Sequence, residues 1–150
     1  MSANEMRTEK YESTGETRIL DGVVLHRIRA LRSFGHIERG DIGGWIASVH
    51  NLHASGDAWV VGDAQVYGDA RVYGNAHYIT LGPLGSRRST LTICADAAIG
   101  WRYTTGCFSG SRAELSAAVD STHPSGCFRG EYEAAIAFAD AWIAAHEVRA

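Results

Sequence analysis

At 150 residues the chain has the length of one domain or of two very small ones, enough to bury a core without disulfide or metal staples. Its 14 basic and 17 acidic residues leave a formal net charge of −3, which argues against non-specific nucleic-acid binding, a function that usually needs a basic stripe. No apolar run reaches the roughly 18 residues that span a bilayer, and three cysteines without a CxxC pair point to a reduced, cytoplasmic compartment.

Residues 1–17 are polar, lack the apolar centre of a signal peptide and read as a flexible N-terminus. Next, Arg18 to Leu25 carries Asp21-Gly22 between two apolar runs, the signal of a β-hairpin. The second arm continues to Leu31 with period-two alternation. Residues 35–55 are rich in glycine, including Gly43-Gly44-Trp45-Ile46, and form an irregular lead-in out of register with the repeat that begins at Gly56.

From Gly56 to Ile79 the chain aligns on itself every six residues: GDAWVV, GDAQVY, GDARVY, GNAHYI. Each unit opens on Gly-Asp or Gly-Asn, a pair that tolerates positive φ and marks a corner. Alanine always stands third, and Val60, Val66, Val72 and then Tyr78 stand fifth. Residues two apart in a strand point the same way, so the alanines and valines face inward while Trp59, Gln65, Arg71 and His77 face outward. A short strand and a corner recurring at this period describe a β-solenoid.

Beyond the repeat, Gly82 to Ser86 reads as a loop, and Ser89–Cys94 and Ile99–Thr105 as two strands. Helical signals come next. Ser111 with Glu114 makes a capping box for a helix over Ser111 to Ser121, and Leu115, Ala118 and Val119 form its inner stripe. A second helix is predicted from about Gly130 to His146. The fold class is therefore α+β: hairpin and repeat over 18–80, then a C-terminal domain of two strands and two helices over 81–150.

The hexads resemble those of short left-handed β-helices, where three hexads complete one triangular coil. A wider resemblance is carried by Leu25-His26-Arg27-Ile28-Arg29-Ala30-Leu31, Gly40-Asp41-Ile42-Gly43-Gly44-Trp45, the hexads, and Thr105-Gly106-Cys107-Phe108-Ser109-Gly110. Together they are similar to phage- and prophage-encoded hexapeptide-repeat proteins. The resemblance implies a mobile-element origin and a β-helix, in an infected bacterial host, and brings no catalytic residues with it.

Each candidate site has a plainer reading beside it. His77 has the place of an acyltransferase base, but fewer than two regular coils leave no coenzyme A slot, so a surface rung is expected. His50 and His53 have metal-like spacing without a third ligand nearby. Cys107 precedes a helix and has the setting of an activated nucleophile, with His123 as its base. However, Cys127-Phe128-Arg129-Gly130 repeats the Cys-Phe-x-Gly pattern, which favours a structural plug. No catalytic residue, cofactor or metal is therefore expected.

The basic residues are 13 arginines and one lysine, Lys10. Arginine recognises phosphate with a bidentate fork, and Arg87, Arg88, Arg102, Tyr103 and Thr105 form the candidate ligand-binding set. Codon bias toward arginine is the competing account. Trp59, Tyr67 and Tyr73 are expected at subunit contacts of a homo-oligomer, a trimer first and a dimer second, because an uncapped solenoid end exposes strand edges.

The leading expectation is a non-enzymatic phage or prophage accessory protein that counters host defence by binding. It would sequester an anionic nucleotide signal or mask a host defence protein. The alternatives are a structural or assembly module of a phage particle and a relative of hexapeptide acyltransferases. No membrane partner is expected.

Overall fold

In the computed structural model the described residues are 6–20, 22–68, 70–72, 78–106 and 108–147. The chain is α+β, with two four-stranded sheets and two C-terminal helices. The first sheet has the order β1 (Tyr11–Leu20), β2 (Val23–Ala30), β3 (Ile42–Ile46), β4 (Gln65–Val66). The second has β5 (Tyr78–Leu84), β6 (Ser89–Asp96), β7 (Gly100–Thr105) and β8 (Phe108–Gly110), all antiparallel. Helices α1 (Arg112–Thr122) and α2 (Cys127–Glu147) complete the chain order. No helix among the described residues is long and apolar enough to cross a membrane.

The hairpin closes where the Asp-Gly pair predicts it, with Leu20 opposite Val23 and Gly22 at φ +80°. Strand β1 begins earlier than expected, inside the segment read as flexible. Met6, Lys10 and Tyr11 are fully buried, and the Tyr11 hydroxyl donates to the Leu52 carbonyl at 2.9 Å. The polar composition of residues 6–13 hides three anchors spaced too irregularly to form a periodic pattern.

Within the repeat, Ala58, Ala64 and Ala70 and Val60, Val66 and Val72 are all at most 2% exposed, as the column pattern predicts. Gly56, Gly62 and Gly68 turn the corners at φ +71°, +56° and +65°. Three parallel pairs, Trp45–Gln65, Ile46–Val66 and Leu52–Val72, join residues twenty positions apart. The lead-in and the repeat thus lie side by side. Gly43 and Gly44 permit this approach: a Cβ on Gly43 would stand 2.6 Å from the Val60 carbonyl oxygen, and one on Gly44 2.7 Å from that of Ala64. Tyr73, the last residue of the third hexad, and residues 74–77 of the fourth lie outside the described residues.

The second sheet separates two cores. One of its faces carries Cys94 into the repeat core, beside Ala70 and Val72. The other face packs Leu91, Ile93 and Tyr103 against Leu115 and Val119 of α1 and Ile136 and Ala139 of α2. Helix α1 starts at the predicted capping box: Ser111 Oγ accepts the Glu114 N–H at 3.2 Å, and Glu114 Oε1 accepts the Ser111 N–H at 3.0 Å. Gly82 to Leu84, read as loop, continues strand β5 to Leu84, where it pairs with Ser89.

Candidate functional site

Strand β7 divides the predicted ligand set, because side chains alternate between faces of a sheet. Arg102 points toward the repeat. Its Nε donates to Asp96 Oδ2 at 2.7 Å and its Nη1 to Ser109 Oγ at 3.1 Å, and its guanidinium lies 5.1 Å from the Tyr67 ring centroid. Burial alone would raise the Asp96 carboxyl. The Arg102 hydrogen bond and the N–H groups of Ala98 and Ile99 outweigh it and hold the carboxyl below its ordinary value. Arg102 thus joins the second sheet to the repeat, on the face away from Tyr103 and Thr105. Tyr103 sits on the opposite face at 1% exposure, within the helix core.

Arg87 and Thr105 do come together. They line a cleft of about 280 Å³ bounded by β6, β7, β8 and the two helices, with Ser86, Phe108, His123 and Tyr132. Thr105 is 8% exposed, and its Oγ1 is buried without a hydrogen-bond partner. Arg87 is exposed and makes no hydrogen bond or ion pair to any described residue. His123 closes α1 by donating its N–H to the Val119 carbonyl at 2.7 Å, and its ring stacks on Tyr132 at 6.1 Å and 16°.

The loop that carries Arg87 is clamped to the start of α2. Glu131 Oε1 accepts the Gly85 N–H at 2.8 Å, and both Glu131 oxygens accept from Arg88 Nη1 at 3.1 Å. Gly85, at φ +72°, leaves room for Tyr132, whose hydroxyl oxygen would lie 2.7 Å from a Cβ there. Arg88 is therefore engaged on the helix while its neighbour Arg87 is held at the cleft mouth. Sequence reasoning missed Glu131, Tyr132 as a cleft wall, and Ser86. For the division of Arg102 from Tyr103 and Thr105 a signal was present, the period-two alternation of the strand.

The expected subunit contacts have partners inside their own chain. Trp59 is 4% exposed and meets Phe34 and Tyr11 edge-on at 5.3 and 6.4 Å. Tyr67 is half-buried against Leu20, Leu25 and Trp45. Trp59 and Tyr67 are thus covered by residues of the N-terminal part of the chain. Tyr73, like His77 and Cys107, lies outside the described residues. His53 Nε2 contacts Ser55 Oγ at 2.8 Å, and among the described residues no group of three His, Cys, Asp or Glu could hold a metal ion. Comparison with protein-family models, curated proteins and solved structures gives no match to this chain.

Proposed function

We propose that the chain is a binding protein that takes a small, ring-bearing anion in the cleft between the second sheet and the helices. The observation that carries the reading is the buried Thr105 hydroxyl in one cleft with Arg87, both without a side-chain partner among the described residues. A buried hydroxyl without a partner costs about 1–3 kcal/mol, and a ligand oxygen that displaces the atoms covering it would recover the bond. Arg87 offers the bidentate fork suited to phosphate, and Phe108, Tyr132 and His123 offer a wall for a flat ring.

This chemistry suits a nucleotide signal, and the reading is therefore of a non-enzymatic accessory protein of a phage or prophage that sequesters such a signal in the host cytoplasm. Beneath the site we read a short left-handed β-helix. It is supported by the parallel pairs, the glycine corners and the inward alanine and valine columns. Assembly into a homo-oligomer belongs to the same proposal. The exposed part of the β1 edge, residues 15–19, supports it, with Ile19 at 74% and its cross-strand neighbour Val24 at 45% exposure.

Calorimetric titration with cyclic, mono- and diphosphate nucleotides and ADP-ribose-type compounds tests the reading. Saturable binding that weakens in Arg87→Ala and Thr105→Val is expected. Absence of heat across the whole panel would end it.

A further inference from the structure

A second hollow adjoins the cleft. It measures about 300 Å³ and is lined by Arg18, Asp63, Gln65, Arg88 and Thr90, and it shares Ser89 and Gly106 with the first. The cleft alone falls just short of the roughly 300–1,000 Å³ of small-molecule sites, whereas the two hollows together reach the lower half of that range. The shared Ser89 and Gly106 and the combined size both suggest one ligand crossing from one hollow to the other.

The charges of the second hollow suggest what its far end carries. Two guanidiniums face one carboxylate there. Arg18 stands on a prepared support: its guanidinium lies 4.1 Å from the Trp45 ring centroid, and its Nη1 donates to Gln65 Oε1 at 3.1 Å. Gln65 in turn donates from Nε2 to the Gly106 carbonyl at 3.5 Å, on the ridge between the hollows. A stacked, hydrogen-bonded guanidinium loses little further freedom on binding an anion. Arg88 spends only Nη1 on Glu131, and both partners of that ion pair are partly exposed, 52% and 33%. Such pairs are weak, and the Nε and Nη2 of Arg88 remain as donors.

Resting on the cleft reading, the geometry points to a nucleoside diphosphate as the ligand class. The ring lies against Tyr132 and Phe108, the first phosphate meets Arg87 and the Thr105 hydroxyl, and the second phosphate crosses the Ser89–Gly106 ridge to Arg18 and Arg88. Asp63 opposes the second phosphate and limits its affinity.

The test compares AMP with ADP by calorimetry in magnesium-free buffer, on the wild-type chain and on variants at Arg18, Asp63 and Arg87. ADP is expected to bind at least about ten-fold more tightly than AMP, the gain of a second charge-assisted fork. Arg18→Ala should bring ADP down to the AMP value, Arg18→Lys should restore only part of the difference, and Asp63→Asn should tighten ADP. Arg87→Ala should weaken both nucleotides. Equal affinities for AMP and ADP, with no effect of Arg18→Ala, would overturn the two-phosphate assignment and leave the cleft reading standing. No binding of either nucleotide would overturn the assignment, and silence across the wider nucleotide panel would remove the cleft reading too.

Discussion

Thr105 and Lys10 show two fates of a polar group inside this protein. The Thr105 hydroxyl has no partner, so exchanging it for a methyl group should not destabilise the fold. Thr105→Val is expected to raise unfolding free energy by about 1 kcal/mol in urea titration while weakening ligand binding. A loss of stability would mean that the hydroxyl is satisfied within the chain. Lys10 is the opposite case: its Nζ donates to the Ala58 carbonyl at 2.6 Å and lies 5.2 Å from the Phe34 ring centroid. Burial, reinforced by the nearby Arg32, lowers its pKa from 10.5 to about 8, although Asp57 pulls the other way. Between those values the unfolded chain binds the proton and the folded chain releases it, so stability rises with pH. Tyr11 works against this at higher pH, because burial raises its pKa above 10.0 and the folded chain keeps a proton that the unfolded chain loses. Cys94 opposes the climb from about pH 9, because burial pushes its thiol from 9.0 up to about 12. Denaturant midpoints should therefore climb from pH 8 toward pH 9, level off to about pH 10 and fall beyond it, and Lys10→Met should flatten the climb.

At the scale of elements, the repeat column is the most demanding part of the fold. Val66 and Val72 are 1% and 0% exposed, and aspartate at either place buries an unpaired charge. Val66→Asp and Val72→Asp are each expected to abolish cooperative unfolding by circular dichroism; a sharp transition in either would contradict the inward column. That column was legible because its chemistry recurs locally, as were the Ser111–Glu114 capping box and the Asp-Gly hairpin. Trp59 was misread for a physical reason. Alternation assigns it to the far face from Val60, but whether that face meets water depends on β1 and on Phe34, which arrive from distant sequence. In the candidate site, Arg87 and Thr105 were legible by residue type, whereas Glu131 and Tyr132, which hold Arg87 in place, act across some forty residues. Arg102 was grouped with them by proximity in sequence, and the pleat sends it to the other face of the sheet.

For the whole molecule, part of the second and third hexads is covered by the chain itself. Strand β6 lies against it through the Ala70–Asp96 bridge, the Arg71 N–H to the Ala95 carbonyl at 2.9 Å, and the Gln65 N–H to Thr92 Oγ1 at 3.1 Å. Strand β1 is an edge of the first sheet. Its first half is covered where the Ser13 N–H donates to the Met6 carbonyl at 2.9 Å, and its second half is exposed. Light scattering coupled to size exclusion is expected to give a multiple of 16.2 kDa. Ile19→Asp should shift it toward the single chain by placing like charges on a self-pairing edge. A single-chain mass for the unaltered protein would end the oligomer proposal.

The burial of Lys10 has a further chemical consequence. It is the only lysine in the sequence and its side chain has no exposed surface. The folded protein therefore presents no lysine amine to acylating reagents or to enzymes that acetylate or conjugate at lysine. Acylation of Lys10 requires the strap of residues 6–13 to lift from Ala58 and Phe34. The rate at which an activated ester marks this one amine thus times the opening of that strap, without any label built into the chain.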